Sequence, residues 1–282
     1  MKTESKVWYV TGASKGLGLS LVKQLLAGGY KVAATSRNIE DLENAVGKGN
    51  PDFLPLSVDL GKEQSVIDSI QSTVDNFGQI DVVVNNAGYG LLGSLEELSD
   101  KEARANFEIN VFGMLNVTRN AMPYLRKQKS GHIFNISSIG GFNGGYPGFS
   151  IYCATKFAVA GLTESLAAEI KPFGIHATVV LPGYFRTNFL TPGSLSTPEH
   201  PIDEYAIVRD SQDAHQHNIN GNQEGDPDKA SAALITIAEV ENPPVYLFLG
   251  ADAYQTAEAK ISAVQKEMDQ WESLATATAF NH

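Results

Sequence analysis

Cysteine is all but absent: Cys153 is the only one in 282 residues, so no intrachain disulfide can form and a disulfide-stapled scaffold is excluded. Long apolar runs are missing too. None approaches the roughly 20 residues needed to span a bilayer, and Met1 to Lys6 leads into a strand-like segment without the apolar core of a signal peptide. The expected setting is the cytoplasm. Positive charge is in deficit, with 21 basic against 32 acidic side chains and a net charge of −11, which disfavours nucleic acid and anionic membranes as partners. Metal ligation finds no framework either. His200, His215 and His217 lie in a loop-like stretch with no acids or cysteines at ligand spacing, and they read as solvated loop histidines rather than ligands. No internal repeat, charge block or interdomain linker interrupts the chain.

What is present is an alternation. Lys6 to Val10 reads as a buried strand, and Leu17, Leu21, Val22, Leu25 and Leu26 recur at helical spacing. Strand-like runs follow at Lys31 to Ser36, at a stretch ending in Val58-Asp59-Leu60, and at Ile80 to Val84. Further strands are expected at Gly131 to Ile136, Ile175 to Leu181 and Val245 to Leu249. Helices are expected from about Lys62 to Phe77, Ser99 to Leu125, Ser150 to Lys171 and Asp226 to Val240. Strands and helices in turn imply right-handed crossovers and a parallel sheet covered on both faces, a doubly wound α/β fold in one domain. From Asn188 to about Gly225 the pattern breaks down, with one short helix near Ile202 to Val208. Apolar side chains there, Phe189, Leu190, Leu195, Ile202, Tyr205 and Val208, suit a substrate-covering lid. The last helix, which Asp252 is expected to cap, carries an apolar stripe of Ala257, Ile261, Val264, Met268 and Trp271; core packing accounts for it, with a part in the lid or a subunit contact as the alternative.

Ligands of such sheets bind at the carboxyl ends of the strands. The first strand runs into Thr11-Gly12-Ala13-Ser14-Lys15-Gly16-Leu17-Gly18 and then a helix, the context a dinucleotide fingerprint needs. Glycines let the backbone approach a pyrophosphate, whose charge is stabilised by amides at a helix N-terminus. The spacing is wider than G-x-G-x-x-G, and a plain tight turn is the simpler alternative. The second strand ends in Ser36-Arg37-Asn38. No acid stands there to bind the ribose 2′-hydroxyl of NAD, whereas Arg37 and Lys15 suit the 2′-phosphate of NADP. The same two side chains also fit an ordinary solvated surface. Asp59, with Leu60 beside it, is placed to contact the adenine, and Asn85-Asn86-Ala87-Gly88 falls at the same edge.

Tyr152 and Lys156 are four residues apart in a helical run and share a face. A free phenol titrates near 10, and a fixed cation beside it would lower that value and make it a usable acid/base. Chance supplies such a pair often. Ser138, at the end of the fifth strand, lies one loop earlier and along the same edge. Asn110 falls within a mostly apolar stripe, so it is bonded to local backbone or belongs to a polar site. Pro182-Gly183-Tyr184-Phe185-Arg186-Thr187 delivers more polar groups after the sixth strand.

Taken together, Thr11-Gly12-x-x-x-Gly16-x-Gly18, Asn85-Asn86-Ala87-Gly88, Asn110, Ser138, Tyr152-x-x-x-Lys156 and Pro182-Gly183 with Thr187 resemble the classical short-chain dehydrogenase/reductase family over nearly the whole chain. The resemblance implies a single Rossmann-type domain with seven parallel strands, NAD(P) bound without metal, and hydride exchange between nicotinamide and an alcohol or carbonyl. It implies Tyr152 as the acid/base, Ser138 bonded to the substrate oxygen, and Lys156 on the ribose hydroxyls and tuning Tyr152. Asn110 would anchor a water in a proton relay, and Thr187 would touch the nicotinamide carboxamide. A homodimer or homotetramer through the Ser99 to Leu125 and Ser150 to Lys171 helices is also implied. The resulting expectation is an oxidoreductase that prefers NADP(H) to NAD(H) and acts on a fairly apolar small molecule. A dinucleotide sensor without turnover and an NAD-preferring dehydrogenase are the alternatives. Retention of Ser138, Tyr152 and Lys156 disfavours the first, and Arg37 the second.

Overall fold

The computed structural model describes residues 5–280. Strand β1 (Val7–Val10) consists of four apolar residues, all buried, as a central strand covered by helices on both faces requires. Side chains alternate along it. Trp8 and Val10 join Leu21, Leu25 and Val32 in one cluster, whereas Tyr9 joins Ala33, Val83 and Ile133 in another. Helix α1 (Gly16–Ala27) buries Leu21, Val22 and Leu25, each worth about 1.5–3 kcal/mol of transfer free energy. Strand β2 (Lys31–Ser36) pairs in parallel with β1.

A helix that the sequence pattern did not signal comes next. In α2 (Ile39–Val46) the Asn38 side chain accepts a bond from the Glu40 amide at 3.0 Å. Leu42 is its only buried residue, so no apolar period stood out. Strand β3 (Phe53–Ser57) ends earlier than expected, and Val58 to Leu60 form the loop to α3 (Glu63–Phe77). Strand β4 (Val82–Asn85) is followed by the two-residue β5 (Gly90–Leu91).

The continuous helix expected from Ser99 to Leu125 is three segments. α4 (Asp100–Phe107) starts with a capping box between Ser99 and Glu102, an arrangement that satisfies two amides at once. A π-helical stretch, Glu108–Gly113, then carries Asn110, and α5 (Met114–Gln128) completes the rod. Strand β6 (Gly131–Ile136), helix α6 (Ser150–Ile170) and strand β7 (Ile175–Pro182) fall where the sequence put them.

Residues 188–225 are more regular than their composition suggested. Strand β8 (Leu195–Ser196) pairs in parallel with β5, and α7 (Ala206–Asp213), four residues later than the expected helix, runs on into a π turn at Ala214–Ile219. Asp226 caps α8 (Pro227–Ile237), its carboxylate accepting from the Asp228 amide at 2.8 Å. Strand β9 (Tyr246–Leu249) closes the main sheet, and α9 (Ala251–Thr276) ends the fold. The order is β3-β2-β1-β4-β6-β7-β9, with every pair parallel. The strand order reverses between β1 and β4, and such a switch point opens a crevice for ligand.

Two expectations for α9 are corrected. Gly250 occupies the cap position, and Asp252 lies in the first turn with its carboxylate turned to the Tyr184 amide at 2.7 Å. The apolar stripe is not core. Ile139, Phe142 and Phe248 cover only Ala253 and Ala257, and beyond them Ile261 and Trp271 are 57% and 55% exposed. No described helix is long and apolar enough to cross a membrane.

Candidate active site

A cleft of ≈ 1220 Å³ opens along the carboxyl ends of the main strands. It gathers Gly12, Ser14, Lys15, Gly16 and Leu17 from the first loop, with Ser36 and Arg37 from the end of β2. Asp59 and Leu60 come from the loop after β3, and Asn86, Ala87 and Gly88 from the loop after β4. Ser138, Tyr152, Lys156, Pro182, Gly183 and Thr187 complete the same walls. Three expected residues, Thr11, Gly18 and Asn110, stand behind the surface and hold it in shape.

The reasons are local. Thr11 is buried, and its hydroxyl oxygen accepts from the Asn86 and Ala87 amides at 3.0 Å each, while the Asn86 side chain donates back to the carbonyls of Thr11 (2.9 Å) and Gly12 (3.0 Å). The loops after β1 and β4 are thereby tied together. Gly12 sits at φ +64°, and a Cβ there would come within 2.7 Å of the Ala87 Cα; at Gly18 it would meet the Asn86 side-chain nitrogen, Nδ2, at 2.5 Å. Only glycine fits this cradle. The N-terminus of α1 has no side-chain cap and no acid in its first turn, so its amides are free for an anion. These features fit a dinucleotide pyrophosphate. Lys15 and Arg37 are both exposed at the outer end of the cleft, and Lys15 Nζ reaches the Gly193 carbonyl at 3.4 Å. Asp41, in the first turn of α2, also lines this end and was passed over with its helix.

At the other end, Tyr152 and Lys156 do share one face of α6, yet the tuning expected of the pair is reversed. Burial drives the Tyr152 phenol above its usual value, and hydrogen bonding with Ser138 opposes this only in part. Lys156 Nζ stands 5.7 Å from the phenol ring centroid and donates to the Ile136 carbonyl at 2.9 Å. Burial lowers its pKa to about 8. Desolvation dominates the shift of both side chains. The phenol is held protonated.

Asn110 resolves the choice left open by the sequence. Its side-chain oxygen accepts from the Tyr89 amide at 3.0 Å, and its nitrogen donates to the Tyr89 carbonyl at 3.0 Å and to Thr155 Oγ1 at 3.1 Å. The side chain is bonded not to its local backbone but into a polar network with Tyr89, Thr155 and Asn106, and it braces the Gly88-Tyr89 turn against α6. Asn85 is also bonded to side chains, donating to Thr118 and Asn135.

The rest of the wall is aromatic. Phe149 and Phe189 rings lie 5.9 Å from Tyr152, and Tyr146, Leu190 and Cys153 join them. His215 is the residue that sequence reasoning misjudged. It is buried rather than solvated, Nε2 lying 2.9 Å from the Tyr184 hydroxyl and Nδ1 2.7 Å from the Ser211 carbonyl. No spacing rule links positions 31 residues apart. Among the described residues no group of three His, Cys, Asp or Glu side chains is placed to hold a metal.

A parallel sheet with its switch point over a glycine cradle, and a phenol, a hydroxyl and an ammonium at one end, defines a dinucleotide-dependent oxidoreductase of the doubly wound class. The chain belongs to the short-chain dehydrogenases: the model of that family matches residues 6–195. It is similar to the oxidoreductase BOA17 of Botryotinia fuckeliana, 34% identical over 276 residues, 98% of this chain and 100% of the relative. A solved short-chain dehydrogenase from Streptomyces avermitilis superposes with a TM-score of 0.90 at 35% identity, covering 99% of this chain and 100% of that one. The structure of ElxO with NADP bound superposes at 0.73 with 27% identity, over 89% and 99% of the two chains.

Proposed function

We propose that this enzyme is an NADP-preferring carbonyl reductase or alcohol dehydrogenase acting on a fairly apolar small molecule. The observation that carries the reading is a buried, protonated phenol at Tyr152 with Ser138 beside it, in the same cleft as Lys15 and Arg37. Gly12 to Gly18 and the free amides of α1 would hold the pyrophosphate. Lys15, Ser36 and Arg37 would bind the 2′-phosphate, Asp59 and Leu60 the adenosine, and Pro182, Gly183 and Thr187 the nicotinamide end. When bound, the nicotinamide supplies hydride exchange.

The chain's own residues supply the rest. Ser138 and Tyr152 present two hydroxyl donors to a substrate oxygen, and Tyr152 gives up its proton as negative charge develops there. A phenol held protonated suits that donor role. Lys156 keeps positive charge beside the phenol and is within the cleft to bind the ribose, while Asn110 fixes the turn that shapes the pocket floor. Residues 188–225 act as a lid: Leu190, Leu195 and Val208 pack with Leu92, Phe149 and Tyr152 in one apolar cluster. This cover excludes water and favours apolar substrates. Exposed Phe112, Phe157 and Leu162 on the central helices support a homodimer or homotetramer.

The test follows absorbance of reduced nicotinamide with a panel of ketones, aldehydes and secondary alcohols and with each dinucleotide. Turnover with NADPH in preference to NADH is expected. Equal use of the two dinucleotides would sink the cofactor assignment, and no turnover with any substrate would sink the activity.

A further inference from the structure

Tyr184 and His215 form a polar pair inside the aromatic wall, and the catalytic groups do not account for it. Phe149 links the two sites, its ring 4.8 Å from His215 and 5.9 Å from Tyr152. Tyr184 and His215 both face the cleft. A carbonyl can only accept a hydrogen bond, so the 2.7 Å contact with the Ser211 carbonyl assigns the ring proton to Nδ1. In the neutral ring Nε2 is then bare. The Tyr184 hydroxyl must donate to it across 2.9 Å.

That leaves the Tyr184 oxygen with its acceptor capacity unspent. Burial, followed by the nearby Tyr146 and Asp252, pushes this phenol up to about 12, so it keeps its proton. The residue is also fixed from behind, since the Asp252 carboxylate accepts from its amide at 2.7 Å. A half-buried acceptor fixed in direction, beside the apolar side chains of Phe149, Phe189 and Leu190, selects for a hydrogen-bond donor.

We propose that Tyr184, oriented by His215, recognises a hydroxyl or amine hydrogen on the substrate, so that the preferred carbonyl compound carries a donor close to its reacting carbon. This rests on the carbonyl-reductase reading and adds the substrate class. The selectivity arises because a substrate without the donor sets apolar surface against the Tyr184 acceptor and leaves it unpaired.

The probes are three ketones that differ in one group: 2-hydroxyacetophenone, 2-methoxyacetophenone and acetophenone, with the matching 1-hydroxy, 1-methoxy and unsubstituted 2-decanones. Each is measured as kcat/KM at saturating NADPH, and ratios in a variant are divided by ratios in the wild type, which cancels intrinsic reactivity. In Tyr184→Phe the hydroxy-to-plain ratio should fall on the order of tenfold, because the hydroxy ketone loses its partner and the plain ketone no longer leaves an acceptor unpaired. In His215→Phe the ring contact with Phe149 is kept, but the Tyr184 hydroxyl is free to donate. The methoxy ketone, an acceptor only, should then gain on the hydroxy ketone. If both variants keep the wild-type ratios while reducing ketones, the inference is overturned and the carbonyl-reductase reading stands. Reduction of none of the six ketones by the wild type, with either dinucleotide, overturns both.

Discussion

The two ends of the cleft are built from different materials. At the phosphate end the surface is backbone: Gly12 and Gly16 at positive φ, the free amides of α1, and the Asn86 side chain bonded to the Thr11 and Gly12 carbonyls. At the substrate end the surface is side chain: Tyr152, Phe149, Phe189 and the Tyr184–His215 pair, with residues 188–225 held beside them by contacts across more than 100 residues, such as Arg209 to Glu97. A backbone cradle tolerates almost no change, because a single Cβ collides with it. A side-chain wall can be rebuilt one residue at a time. The phosphate end should therefore govern whether nucleotide binds, and the substrate end what is turned over.

The largest expected effect separates those tasks completely. Tyr152→Phe removes one oxygen from the substrate end and should lower kcat by about a hundred- to ten-thousandfold, with NADPH affinity, read by titration calorimetry, within about threefold of wild type. Near wild-type turnover would dismiss Tyr152 as the proton donor. A large loss of NADPH binding would show the two ends to be coupled. Lys156→Met is the deliberate exception. Its ammonium is buried between the ends, so both binding and turnover should suffer.

Next in size is a change confined to the phosphate end. Arg37→Glu replaces a cation beside the expected 2′-phosphate with an anion, and loss of a charge-assisted bond costs about 1.5–3 kcal/mol. The Kd for NADPH should rise on the order of tenfold or more, and that for NADH by no more than about threefold. Equal losses for both would mean that Arg37 is a solvated surface charge and that Lys15 or Ser36 sets any preference.

The same contrast decides what could be read from the chain. The phosphate end left a trace in sequence because its chemistry needs glycine at positions where another residue collides, and the strand-loop-helix context is local. That Tyr152, Lys156 and Ser138 line one cleft was legible for a similar reason, since they are short-range neighbours on one helix and one loop. His215 was not, since its partner Tyr184 is 31 residues away and a buried histidine has no periodic signature. Helix α2 was passed over because it buries little beyond Leu42. The stripe of α9 misled because an apolar period says that a face exists, not that the body reaches far enough to cover it. The direction of the Tyr152 shift was also beyond the sequence. Spacing places the ammonium, but only the folded chain sets how far burial opposes it.

A third prediction concerns residues 188–225. The Glu97 carboxylate is fully buried and accepts from the Ser94 amide at 2.6 Å, the Ile202 amide at 2.8 Å and Arg209 at 2.8 and 2.9 Å. Burial alone would raise its pKa, yet these bonds outweigh burial and hold it below the usual range. A depressed folded-state pKa means that the clamp's stabilisation is complete above the unfolded value of about 4.3 and is lost as pH falls through the folded value. Acid should therefore loosen residues 188–225, read as faster proteolysis of that segment below about pH 4.3. Glu97→Gln should do the same at neutral pH and cost about 2–3 kcal/mol, because an amide has one acceptor oxygen where the carboxylate uses two to hold these three nitrogens. NADPH affinity should hold. A fall in NADPH affinity would place the clamp at the phosphate end after all.

The smallest effect is expected where the chain leaves the body. Asp252, in the first turn of α9, holds the Tyr184 amide, and Ala253 and Ala257 pack on Phe248 and Ile139. Every residue from Ile261 to Phe280 is exposed. Truncation after Lys260 keeps the first group and removes only the second, so it should shift Tm by less than about 2 °C, under 1 kcal/mol for a chain of this size, and leave the ketone ratios intact. Asp252→Ala, by contrast, frees the Tyr184 backbone and should reduce the hydroxy-ketone preference without altering NADPH binding. A large drop in Tm on truncation would mean that Ile261, Val264, Met268 and Trp271 are covered by another subunit in solution. The substrate end would then depend on assembly, and the phosphate end would not.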